Sequence, residues 1–520
     1  MAEGKVSMDG GALPQANQAR RLFDLFALAA LALLMSAAPV LLHLVNPSLA
    51  IGFTFASAFV LAVAMERAAP VVILFAFMFQ TMFVAMASSR ATQFSDLDAM
   101  KVYDFVTTIG VWTAIAARVL LGFARVSPFL WRMILASTGI LVLAGLYFVA
   151  GLPIDARGAT IYMRNIGLPA LLFQICLFVA SRNPLAMRST AGLLLVLLTI
   201  CGYFELLDLQ RWLDVTNGWH YWDLASLPNR DARQYERLAR DTGQVFTGVV
   251  DFLTGSLFNT SLLSGLDVQV VRLQGPNFHP ISFGYSLGVL IAFLAAQGRK
   301  LLPLLAAPLL LFVGAKGAVA LLIFSLAFCF AARFTRSSLV PFGLAVVLVL
   351  YAVFVFRTGV QTGDYHVLGL IGGVNGFLHN PIGHTLAQGG NLSTNFAQID
   401  WTKYQHEGAA EIAVESAIGV LLYQMGIVAA GVIAIYFYFA RVAWRLYKAF
   451  HAPTLAFATS AIAVILVNGL FQEEALFAPL ALGFIMALTG LAFGSVDRLA
   501  GEAMIAEARA RRAAIVPAVA

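Results

Sequence analysis

Residues 301–330 read LLPLLAAPLLLFVGAKGAVALLIFSLAFCF, an apolar run whose one charged residue is Lys316. The run is too long for a single crossing of ~30 Å of hydrocarbon, which takes about 20 helical residues. Gly314 and Gly317 flank the lysine and suit a tight turn. The stretch therefore predicts two short spans, 301–315 and 318–332, joined at Lys316. Similar runs fill the chain and are continuous rather than alternating, which selects helices over a β-barrel.

Composition agrees. Sixty per cent of the 520 residues are hydrophobic and 12% are charged, where a soluble domain carries about 25%. Mean hydropathy is +0.84. The expected architecture is an all-α polytopic integral membrane protein with about 12–14 transmembrane helices. It forms one transmembrane domain over 22–495, between a cytoplasmic N-terminal tail (1–21) and a cytoplasmic tail (496–520). The first apolar run resembles a signal peptide but continues through Val45, so it reads as a retained helix. Lys and Arg favour alternate loops, which puts both termini inside, although Arg90, Lys101, Arg157 and Arg164 fall on the outer side. This bias explains the net charge of +6 without nucleic acid. Cys176, Cys201 and Cys329 lie in apolar runs without paired spacing and read as packed thiols.

Two outer segments exceed mere connections: about 208–278 and about 357–417. The first contains Trp212, Trp219, Tyr221 and Trp222, which read as interfacial anchors, and a charged amphipathic stretch over 229–246. The second is rich in Gly and Asn and carries His366, His379, His384 and His406. Loops this long are commonly functional.

The chemistry-bearing residues gather at these outer ends. Arg272, in VRLQGPNFHP, precedes Asn277 and His279 at a helix start, where a guanidinium fork and free backbone N–H groups suit a phosphate. Lys316 adds a second cation. Glu411 and Glu415, four residues apart, are expected on one helical face at the start of a span over 418–440, with Glu415 a general base. Glu473 and Glu474 read as solvated charge on an outer turn. No histidine spacing suggests a metal site.

In this order the segments resemble the bacterial O-antigen ligase and O-antigen polymerase superfamily over about 180–475. Arg272-x-x-Gly275-x-Asn277 is similar to that family's arginine-glycine-asparagine segment. Gly314-Ala315-Lys316-Gly317-Ala318 is similar to its serine-arginine-glycine turn, with lysine replacing arginine. The long loop before Gln424-Met425-Gly426-Ile427 is similar to its large periplasmic loop. Ligases place His-Asn where this chain has Glu415-Ser416, which favours the polymerase branch.

The resemblance implies a metal-independent, cofactor-free, inverting glycosyltransferase in the bacterial inner membrane. It would join oligosaccharide repeats carried on undecaprenyl pyrophosphate into exopolysaccharide, capsule or O-antigen, with a flippase and a chain-length regulator as partners. Arg272 and Lys316 would neutralise pyrophosphate and Glu415 would act on the acceptor. Asn277, His279, His406 and Glu411 would bind substrate. A ligase transferring glycan to a lipid, or a transporter for an anionic lipid-linked sugar, are the alternatives.

Overall fold

In a computed structural model, residues 15–231, 249–256, 269–393, 396, 399 and 401–515 are described. Among them, ten helices are long and apolar enough to cross a membrane, and three more apolar helices are shorter. Among the described residues the one sheet pairs Thr254–Ser256 antiparallel with Gln269–Val271. The chain is thus a multi-pass, almost wholly helical protein. Most of the amphipathic stretch expected over 229–246 lies outside the described residues.

The principal helices are α1 Gln15–His43, α2 Pro47–Ala64, α3 Ala69–Ala87, α4 Tyr103–Leu120, α5 Pro128–Gly151, α6 Ala156–Arg182 and α7 Met187–Leu207. After them come α8 Pro280–Ala296, α9 Lys316–Phe334, α10 Leu339–Thr362, α11 Tyr365–His379, α12 Ala417–Met425, α13 Val428–Phe450, α14 Pro453–Asn468 and α15 Phe484–Ile515. Every apolar segment read from the sequence falls on helix, and three depart from it in detail. The run 301–315 is two pieces, Leu301–Ala306 and Leu309–Val313, divided at Pro308. The run 418–440 is broken at Gly426, whose φ of 54° lies in the left-handed region. The last span begins with a π-helical turn, Pro479–Gly483.

Residues 357–417 are not one long loop. α10 runs on to Thr362, and α11 packs its glycine face against the 408–420 segment. A Cβ on Gly373 would sit 2.5 Å from Gly419 Cα, and one on Gly372 2.5 Å from the Ala410 carbonyl. The glycines that suggested a flexible loop instead allow helices to approach closely.

The core is built around α6 and α15. Gly490 and Gly494, one turn apart, place α15 against the α6 backbone: a Cβ on Gly490 would lie 2.5 Å from Phe173 O and 3.0 Å from Leu177 N. Lipid offers no hydrophobic drive for helix association, so such close packing is the main attraction available. Gly490→Val should therefore cost about 1–3 kcal/mol by overpacking and lower the melting temperature of the detergent-solubilised protein. Gly145→Val, where nothing lies within 4 Å of the added Cβ, should change it little. Equal melting of the two variants would show that this helix contact is not limiting.

Candidate active site

Arg272 enters the site on a turn that three helices hold in place. Its own N–H donates to Leu253 O (2.8 Å), and Leu273 N donates to Phe312 O (3.2 Å). The chain then reverses at Gly275, with φ of 64°, a conformation that costs glycine nothing. Phe278 also lies in the left-handed region, at φ 52°. Its ring is held by Tyr221 (centroids 4.8 Å apart) and by Trp212 and Trp222. Trp212 and Tyr221 are thus buried supports of this turn, not interfacial anchors; their aromatic surface is spent on Phe278.

The strongest restraint is Glu205, near the end of α7 and 2% exposed. Its carboxylate accepts from Gln274 N (2.8 Å) and Gly275 N (2.7 Å), two charge-assisted bonds to a turn that would otherwise leave both donors buried and unpaired. Sequence reading passed over Glu205. The available signal was that it is the one acidic residue within α7, and an ionisable residue in an apolar helix has a task by default.

Lys316 opens α9 and is exposed. The preceding helical piece ends at Gly314 in the left-handed region (φ 69°). Arg272 lies across this turn, its Nε donating to Val313 O at 3.4 Å. Arg272 and Lys316 fall within each other's electrostatic reach. No side chain caps the N-terminus of α9 at Ala315. Gly317 is packed under it: Asn468 Nδ2 donates to Gly317 O (2.7 Å), and a Cβ there would meet Gln472 Oε1 at 2.5 Å.

Glu415 joins these cations, but not as expected. α12 starts at Ala417, with Ser416 as its N-cap accepting from Gly419 N. Glu415 precedes the helix at φ 60°, its N–H donating to Asn391 Oδ1 (2.9 Å). Glu411 and Glu415 therefore share no helical face. The Glu411 side chain is 61% exposed and paired with Lys403, and His406 is exposed on the helix Trp401–Glu407. Neither is brought into the cluster. The capping serine explains the difference, since it fixes where helical geometry begins.

His366 occupies the place beside Glu415 instead. Its Nδ1 lies 2.8 Å from Asp364 Oδ1 and its Nε2 3.9 Å from Glu415 Oε2. Asp364 also caps α11 by accepting from His366 N at 3.0 Å. Burial disfavours the charged ring, but its hydrogen bond to Asp364 and the charges of Glu415, Asp364 and Glu474 outweigh it and raise the pKa of His366. Burial raises the pKa of Glu415, with Glu474 and Asp364 adding to the effect and His366 and Asn391 opposing it.

Glu473 and Glu474 are not solvated turn residues. Glu473 is 3% exposed; its oxygens accept from Tyr162 Oη (2.7 Å) and Asn391 N (2.9 Å). Asn391 thereby ties Glu473 to Glu415. Glu474 is half-buried within reach of Arg272 and His366. No local pattern signals this, because the partners come from α6 and from the segment before Glu415. Asn277 is 8% exposed with Oδ1 unpaired among the described residues, and His279 caps α8 by accepting from Ser282 N (3.3 Å). Among the described residues no group of three or more His, Cys, Asp or Glu side chains is arranged to hold a metal ion.

Arg272 and Lys316 thus set two positive charges within electrostatic reach of each other, and Asp364, His366 and Glu415 form a run of titratable groups reached from Lys316 through Asp364. No family model matches the chain, and no curated protein and no solved structure matches it.

Burial pushes Glu473 up to about 8, so the folded protein holds this proton more tightly than the unfolded chain does. Its contribution to stability is complete below the ordinary carboxylate range and is lost as pH rises towards 8. Thermal melting should therefore show stability falling from pH 5 to pH 8, and Glu473→Gln should flatten that fall. An unchanged slope in the variant would assign the proton elsewhere.

Proposed function

We propose that this protein is a polymerase of lipid-linked oligosaccharide repeat units, acting at the membrane face onto which the cluster opens. The carrying observation is that segments far apart in the chain bring two cations, Arg272 and Lys316, close to Asp364, which is hydrogen-bonded to His366, with Glu415 3.9 Å beyond the ring. Transfer of a glycan from a pyrophosphate carrier needs both parts. The attacking hydroxyl must lose a proton, and the departing pyrophosphate must have its charge met.

In this reading Glu415 takes the proton from the acceptor sugar hydroxyl as its oxygen attacks the anomeric carbon of the donor. The anomeric C–O bond to pyrophosphate breaks, and the configuration inverts. Arg272 and Lys316 neutralise the leaving pyrophosphate. His366, oriented by Asp364, stabilises the ionised Glu415 before attack. The energy comes from the sugar–pyrophosphate bond, so no nucleotide is required. The alternation of Lys and Arg between loops supports an outer-face location, and the family resemblance supports a bacterial inner membrane, where a flippase would deliver substrate and a chain-length regulator would attend. A ligase would use the same residues on a different acceptor.

Purified protein in vesicles, given lipid-linked repeats, should lengthen the glycan without nucleotide or ion gradient. Glu415→Gln should slow elongation by about 10²–10⁴-fold, the usual worth of a general base. Arg272→Ala should abolish it and Arg272→Lys should restore part, since lysine lacks the bidentate fork. Transfer of repeats between leaflets without lengthening would replace this reading with a transporter. Full elongation by Arg272→Ala would remove the anion site.

The pH profile gives a separate check. The His366 charge holds the Glu415 pKa down, so His366→Asn should move the acidic limb of the elongation rate to higher pH. A limb that stays in place would mean that His366 does not act through Glu415.

A further inference from the structure

Arg90 runs against the charge bias of the loops, and nothing in the proposed reaction uses it. It follows α3 in the short turn Ser88–Arg90 and is exposed. Among the described residues its guanidinium has no hydrogen bond or ion pair. Below it, α1 and α3 leave a groove of about 280 Å³. Its walls are Val40, Leu41 and Leu44 of α1 and its continuation, and Phe83 and Met86 of α3. Leu41 is 61% exposed and Met86 41%, so the groove opens sideways rather than into the protein core.

We propose that this groove seats one acyl chain of a membrane phospholipid, whose phosphate rests on Arg90. The match is of chemistry within one groove: hydrocarbon walls for a chain, then a cation, Arg90, that has no ion-pair partner among the described residues. Small-molecule pockets run to about 300–1,000 Å³, so the volume suits a chain rather than a whole lipid. Arginine presents a planar fork that fits phosphate oxygens. A phosphate there also stands near the site just described. Ser88, beside Arg90, accepts from Asn217 Nδ2 (2.9 Å), and Asn217 leads into the helix Gly218–Asp231, whose Tyr221 packs on Phe278. The inference does not depend on the proposed reaction.

The test places a photoreactive diazirine amino acid at Leu44. The full-length protein is reconstituted in vesicles of phosphatidylethanolamine and phosphatidylglycerol, illuminated and weighed by intact mass spectrometry. A control carries the same group at Phe354, on the exposed face of α10. Phospholipid adducts at position 44 should exceed those at 354. Arg90→Ala should reduce them about fivefold, the worth of one surface arginine against lipid charge, without affecting position 354. Arg90→Gln should behave like the alanine variant if that one fails to fold, and Arg90→Lys should keep most of the yield. Adducts at 44 that do not respond to Arg90, or that equal those at 354, would overturn the proposal and leave Arg90 as a cap on the α3 C-terminus. Recovery of an isoprenoid in place of a phospholipid, when the same protein is illuminated in native membranes, would also overturn it.

Discussion

A backbone that leaves helical geometry inside a membrane protein must find its hydrogen bonds from other protein groups, because no water is at hand. In this chain that requirement falls on a few breaks, and several of those around the candidate site are met by side chains. Glu205 takes the N–H groups of Gln274 and Gly275. Glu473 takes Asn391 N, Asn468 donates to Gly317 O, and Ser416 donates to Leu470 O. Arg272 donates to Val313 O. The polar residues that satisfy broken helices are therefore drawn to the same place as the free backbone, and the candidate site is that place.

The electrostatic consequence follows from crowding. Asp364, Glu415, Glu473 and Glu474 share a volume with Arg272, Lys316 and His366, and burial raises the proton affinity of Glu415, Glu473 and Glu474. Glu473 is committed to Tyr162 and Asn391, while Glu415, with its side chain 21% exposed, keeps an open edge. That division makes Glu473 part of the scaffold and leaves Glu415 as the acid that the proposed reaction uses.

The long apolar runs were legible because hydropathy alone determines them. Arg272, Lys316 and Glu415 were legible as charges at the ends of such runs, and in the structure they are linked through shared neighbours, Asp364, His366 and Glu474. What sequence reading missed depends on contacts between distant segments. α11 is short and glycine-rich, so it resembled a loop until its glycines met Gly419 and Ala410. His366 looked like one of several isolated histidines because Asp364 is two residues away and Glu415 belongs to another element. Glu473 is buried by Tyr162, far earlier in the chain. His406 and Glu411 share a segment with Glu415, yet Lys403 and solvent hold them away from it.

Everything in the proposed site depends on Lys316, at the start of α9, lying close to Asp364, the N-cap of α11. Lys316→Cys with Asp364→Cys, in a chain whose native cysteines are replaced by alanine, tests this in spheroplasts. A short, membrane-impermeant bifunctional thiol reagent added outside should join the two cysteines within one chain, changing its mobility on a gel. Failure to join them, or joining only after the membrane is opened, would contradict the account.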